Sequence, residues 1–175
     1  ACRRGNNNGF LQWDDDIDIA VKSDDVDRIK EILRVELGEK YEIQDYYNEE
    51  AYSPRLAAFR IRQKNSCSMV CEKDSELYEL YSKRGLFLDV YAYGHVLGFK
   101  WMDKMYRYLF IHFLNRRIRR IESNWKYGVN PEKTYSKFVR VKEKYMKRAE
   151  WYIKNAKNKK YVVYLRKHTQ NSTIH

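Results

Sequence analysis

Trp13-Asp14-Asp15-Asp16-Ile17-Asp18-Ile19-Ala20-Val21 is the stretch on which the fold of this chain turns. Its later part alternates acidic and apolar side chains, the period-two pattern of a strand with unlike faces. On such a strand Asp14, Asp16 and Asp18 project from one face with Cβ atoms about 6.6 Å apart, while Asp15, Ile17 and Ile19 face the other way. Carboxylates packed this closely repel one another unless something positive offsets them, and a divalent cation does so most economically. Mg²⁺ prefers hard oxygen ligands and is commonly held by one or two carboxylates together with substrate phosphates. A third acid is expected from Leu86-Phe87-Leu88-Asp89-Val90-Tyr91, an apolar run with Asp89 as its single acid. A buried aspartate needs a partner, and a shared metal supplies one. A calcium loop of the EF-hand type would require a central Gly and a Glu at its twelfth position, and neither follows here. A solvated acidic loop is the default for an isolated acidic run; the interleaved Ile residues and the matching Asp89 strand favour the metal site.

Working outward, Ser23 stands before Asp24, Asp25 and Asp27 as an N-cap with an acidic first turn. Val26, Ile29, Ile32, Leu33 and Leu37 then recur at helical spacing up to Gly38. Tyr41 to Tyr47 and Leu56 to Arg62 are expected as strands around a turn at Glu49 to Pro54, and Glu72 to Arg84 as a short helix. From Gly98 the pattern turns helical, with segments near 99–125 and 134–157 parted by Gly128 to Pro131, and Tyr161 to Leu165 is expected as a last strand. The expectation is an α+β fold, with 1–97 as a catalytic core and 98–175 as a basic helical part of the same domain.

The chain has 175 residues, long enough for a real core. Its net charge of +11 is an average over unlike halves. Residues 1–90 hold 14 Lys and Arg against 19 Asp and Glu, whereas residues 91–175 hold 21 against 5. The basic character therefore belongs to the helices, where it suits an anionic membrane face, a phosphorylated carrier or nucleic acid. Three cysteines, Cys2, Cys67 and Cys71, argue against a disulfide framework and for a reducing compartment. Cys67 and Cys71 lack the second pair that a zinc site needs. No apolar run approaches the ~20 residues that span a bilayer, and Ala1 to Asn8 is not a signal peptide, so a soluble protein is expected.

Gly9-Phe10-Leu11-Gln12-Trp13-Asp14-Asp15-Asp16-Ile17-Asp18-Ile19 strongly resembles the signature of the LicD family, whose usual form is G-F-I-P-W-D-D-D-I-D-I. Ala1-Cys2-Arg3 resembles the end of the preceding L-G-A-x-R element. Ile61 to Ser66 is similar to the I-R-x-x-N-T segment, and Gly85 to Val90 to the G-I-F-I-D-I strand. Gln12 replaces the customary Pro, and Tyr91-Ala92-Tyr93-Gly94 stands where the family often has F-P-L-D.

The resemblance implies a nucleotidyltransferase-like mixed sheet with flanking helices, whose Gly-Gly or Gly-Ser phosphate loop would precede Ala1, so the core is expected to be truncated at its N-terminus. It implies transfer of phosphocholine or a similar phospho-alcohol from a CDP-linked donor to a sugar hydroxyl of a cell-surface glycan, such as lipopolysaccharide or teichoic acid. It places metal-ligand roles for Mg²⁺ or Mn²⁺ on Asp16, Asp18 and Asp89, with Asp14 as helper and either Asp14 or Asp89 as general base. Arg3 and Arg62 are candidates for the donor's phosphates or for ion pairs with the aspartates. Trp13 either stacks on the donor's base or packs the core. The acceptor fits a lipid-linked glycan at the cytoplasmic face of a membrane. Two alternatives stay open: a nucleotidyltransferase releasing pyrophosphate, and a non-enzymatic nucleic-acid binder built on the helices.

Overall fold

The computed structural model describes residues 18–66 and 80–164, the stretch 159–164 by its backbone alone. Strand β1 (Asp18–Lys22) leads into helix α1 (Val26–Glu36), followed by β2 (Tyr41–Asp45), β3 (Phe59–Gln63) and β4 (Phe87–Val96). A continuous helical rod then runs through α2 (Lys100–Tyr106), a π-helical turn (Arg107–His112) and α3 (Phe113–Lys126). Helix α4 (Pro131–Asn155) folds back along it, and β5 (Asn158–Tyr164) returns to the sheet. The fold is α+β, as the residue pattern predicts.

The strand order is β1-β4-β3-β2, with β1 parallel to β4 and the other pairings antiparallel. Tyr93 pairs with Lys22 and with Tyr164, and Val90 with Ile19 and Phe59. Hence β3 and β5 follow one another along one edge of β4, and β1 occupies the other. The chain after residue 97 thus contributes a strand to the same sheet.

Alternation along the strands gives the sheet two unlike faces. One carries Ile43, Phe59, Val90 and Ala92, which pack with Val26, Ile29 and Leu33 of α1. The other carries Arg60, Arg62, Phe87 and Asp89, and it meets Tyr52 and Tyr81. Those tyrosines belong to the core formed with Leu114 and Ile118 of α3 and Phe138, Val141 and Tyr145 of α4. The result is three layers: α1, sheet, helical hairpin.

Local chemistry moves several element ends. Ser23 does not cap α1: Ser23–Asp25 form a 3₁₀ turn, and neither Lys22 nor Asp25, the residues before the two helical segments, makes a side-chain cap bond. The extra turn carries the first α-helical N–H groups away from the Ser23 hydroxyl, which lies 3.4 Å from Asp24 Oδ1. Strand β2 stops at Asp45 because its Oδ1 accepts the Tyr47 and Asn48 N–H groups at 2.9 and 3.0 Å, turning the chain. Leu56 still belongs to a turn, its N–H bonded to Ser53 O at 3.1 Å, so β3 begins later than the apolar pattern suggests. Of the expected helix at 72–84, only 80–84 lies within the described residues, and that part is not α-helical. Gly85, at φ +137°, has no room for a side chain: an added Cβ would sit 2.4 Å from Gln63 O.

Two buried cations tie the layers together. Lys30 on α1 reaches Asp45 at 3.0 Å. Burial opposes the charge on each, but their mutual attraction outweighs it, raising the Lys30 pKa and lowering that of Asp45. Lys142 on α4 donates to the Glu49 and Glu50 carbonyls at 3.0 and 2.7 Å, and burial pushes its pKa down to about 8.

Asp45→Ala leaves the buried Lys30 ammonium with only the exposed Asp27, 3.1 Å away, and frees the Tyr47 and Asn48 N–H groups; it is expected to cost about 3 kcal/mol in urea unfolding, with Lys30→Met/Asp45→Leu recovering part of it. Because the folded pKa of Asp45 lies below the ordinary 3.8, this contribution is full above that value and disappears as pH falls through the lower folded one. Lys142 acts with the opposite slope. Between about 8 and 10.5 the unfolded chain holds the proton that the folded chain has released, so stability rises with pH across that window. Wild type is expected to gain on Lys142→Met there, by about 3 kcal/mol at most, in paired denaturation curves at pH 7 and 10.

Candidate active site

The register of the central strands places four polar side chains in one lateral row. Asp18 of β1 pairs with Asp89 of β4, Asp89 with Arg60 of β3, and Arg60 with Gln44 of β2. Residues paired across neighbouring strands project from the same face, with strands about 4.8 Å apart. The two carboxylates therefore stand side by side on the face away from α1. Asp18 is exposed at the sheet edge, and the Asp89 side chain is 13% exposed. The row opens to solvent at its acidic end and closes into the protein at its basic end.

Asp89 is held from two directions. Arg60 Nε donates to Oδ1 at 2.6 Å, and the Tyr91 hydroxyl donates to Oδ2 at 3.3 Å. Burial raises the Tyr91 pKa, and the negative charges of Asp89 and Asp18 raise it further, so the phenol keeps its proton and remains a donor. Arg60 is itself 1% exposed, its guanidinium 3.9 Å from the Phe87 ring centroid and 5.9 Å from that of Tyr52. Burial alone would lower its pKa; the neighbouring Tyr52 and Asp89 raise it instead, keeping the cation in place. A guanidinium gripped between aromatic faces has one carboxylate to aim at, which fixes the orientation of Asp89.

Arg62 lies elsewhere. It is fully buried, donates to Gln44 Oε1 at 2.5 Å and to Gly85 O at 2.8 Å, and shares the Phe87 ring at 5.1 Å. The cation that meets the acid pair is Arg60, two residues earlier, which the sequence reading passes over. Its signal is present in Phe59-Arg60-Ile61-Arg62, where cations at period two on a short strand ask for buried acids on a neighbour. Asp14, Asp16, Trp13 and Arg3 lie outside the described residues, as do Cys67 and Cys71.

Among the described residues no cluster of three metal-binding side chains occurs, and no helix is long and apolar enough to cross a membrane. Among the described residues, Asp18 and Asp89 are the acids that this register sets side by side. Two such carboxylates could hold Mg²⁺, a hard cation that takes one or two protein carboxylates and completes its shell from water and phosphate.

A mixed sheet bearing paired carboxylates on adjacent parallel strands is an arrangement suited to metal-assisted phosphoryl transfer. The family described as LicD/FKTN/FKRP, nucleotidyltransferase domain, matches residues 5–118, well over half of the chain and past the end of β4. The chain belongs to the LicD family and is a transferase of the phosphotransferase kind. A search of curated proteins and one of solved structures each returned no match.

Removing the guanidinium that orients Asp89 is expected to be costly. Arg60→Met should lower stability by about 3 kcal/mol, because it leaves a largely buried carboxylate without its counter-charge. Arg60→Met/Asp89→Leu should recover part of that loss. Differential scanning fluorimetry of the two variants checks this, and a wild-type melting temperature in Arg60→Met would contradict the ion pair.

Proposed function

We propose that this chain transfers a phospho-alcohol group, phosphocholine or a similar one, from a CDP-linked donor to a sugar hydroxyl of a cell-surface glycan, releasing CMP. The observation that carries the reading is the in-register pairing of Asp18 with Asp89 on parallel strands, with Arg60 orienting the second. In this reading Asp16, Asp18 and Asp89 would hold Mg²⁺ or Mn²⁺. The bound ion would neutralise charge on the donor's phosphates and on the departing nucleotide.

The chain's own residues supply the rest. Arg60 engages Asp89 Oδ1, and the half-exposed Tyr91 offers its hydroxyl beside Oδ2, where donor oxygens would lie. The acceptor hydroxyl attacks phosphorus: a new phosphorus–oxygen bond to the sugar forms, the bond to the CMP oxygen breaks, and the hydroxyl proton passes to a carboxylate. Of the two base candidates, Asp89 is already engaged by Arg60 and Tyr91, which leaves the role to Asp14 in this reading. Arg3 and Trp13, from the segment ahead of β1, are proposed to contact the donor. A lipid-linked acceptor would set the reaction at the cytoplasmic face of a membrane.

The test incubates the chain with a panel of CDP-alcohols and candidate glycan acceptors, with and without Mg²⁺. CMP release that EDTA abolishes is expected. Asp18→Asn, with unchanged circular dichroism, and Asp89→Asn, which also costs stability by unpairing Arg60, are each expected to lower it at least ~100-fold, since removal of one metal-bound charge is felt fully in the transition state. Pyrophosphate release from a nucleoside triphosphate would replace this reading with nucleotidyl transfer. Full activity in Asp89→Asn would overturn the site.

A further inference from the structure

The helical rod that follows β4 exposes far more apolar surface than its role in the core requires. Trp101 is 67% exposed, Met105 49%, Tyr108 63%, Leu109 51% and Phe113 56%, and Phe99 immediately ahead of them is 71% exposed. A patch of this size on a single element marks a contact surface. Trp101, Met105, Leu109 and Phe113 are spaced four residues apart, and such a row drifts around an ordinary α-helix of 3.6 residues per turn. The wider π turn at Arg107–His112 takes up that drift, so the row stays on one side of the rod. Trp151 of α4, 48% exposed, stacks 4.9 Å from the Tyr106 ring and extends the surface sideways.

The charges around this surface say what covers it. Lys100 and Lys104 are exposed at one end, and Arg116, Arg117 and Arg120 at the other. The segment's two acids, Asp103 and Glu122, are each 1% exposed and ion-paired inward, to Arg107 and Arg55. The rod therefore offers solvent an apolar strip flanked by cations with no exposed acid of its own. A second copy of the chain would set these cations against one another across a two-fold axis, which disfavours self-association. Aliphatic and Phe side chains at the centre, with Trp and Tyr among them and Lys and Arg at the flanks, are what the headgroup region of an anionic bilayer accommodates.

We infer that residues 99–120 form an interfacial docking surface for an anionic phospholipid bilayer, with the apolar strip inserted among the headgroups and the flanking Lys and Arg on lipid phosphates. This rests on the surface alone and is independent of the transfer reaction.

Co-sedimentation of the full chain with vesicles tests it. Binding to equal parts phosphatidylcholine and phosphatidylglycerol is expected to exceed binding to pure phosphatidylcholine by about tenfold or more. Leu109→Ser/Phe113→Ser should lower it by about tenfold, whereas Val35→Ser, a surface change on α1, should leave it intact. If the double variant does not fold, Trp101→Ser gives the same readout. Equal binding to both vesicle types, or wild-type binding in the strip variants, would overturn the inference. So would a dimer that buries the strip, or binding of single-stranded RNA that the strip variants lose while vesicles are ignored.

Discussion

The charged face of the sheet is the constraint around which the molecule is arranged. β3 brings two arginines, and β4 an aspartate, to a surface that is then covered by Tyr52, Tyr81 and the helical hairpin. Leaving any of these charges unmatched in such a place would cost more than most single interactions contribute. The lateral register solves the problem by setting Arg60 directly beside Asp89, with Arg62 turned to Gln44 and the Gly85 carbonyl. Phe87 lies under both guanidinium groups, so their planar faces are packed as well as their edges bonded. Gly85 follows from the same constraint: its carbonyl takes an Arg62 N–H, and the close approach of Gln63 forbids a side chain.

The same row has a chemical gradient. At its inner end the cation is locked and dry, and at its outer end Asp18 meets water at the sheet edge. This arrangement holds the Asp89 carboxylate rigid and leaves Asp18 exposed. The helical hairpin takes no visible part in the row but determines that it is buried, by pressing Tyr52 and Tyr81 onto the arginines from the side opposite α1. Asp103 anchors that hairpin, accepting from Leu97 N at the end of β4, from Arg107, and from Tyr152 of α4.

Much of this was legible beforehand. The Asp-Ile alternation marks β1, the isolated Asp89 marks β4, and spacing from Val26 to Leu37 marks α1 ending at Gly38. Those signals are local, and each depends on one element having one buried face. The misreadings also have local causes. Ser23 was expected to cap a helix that begins three residues later, and Leu56 to open a strand that a turn delays. The role of Arg60 is not legible in the sequence, because it lies in what is beside the residue, and Arg60 and Asp89 are 29 residues apart along the chain.

The amino-acid sequence by itself determined which side chains are acidic, the order of most strands and helices, and, through the family signature, that the chain is a transferase of the LicD family. Only the tertiary structure decided that Asp18 stands in register beside Asp89 on a parallel strand, that Arg60 rather than Arg62 orients the acid, and that the aromatic residues of 99–113 are largely on the surface. The reason is physical. Periodicity reports that a side chain has a face, but register and layer packing, which are set by pairings distant in sequence, determine what that face meets.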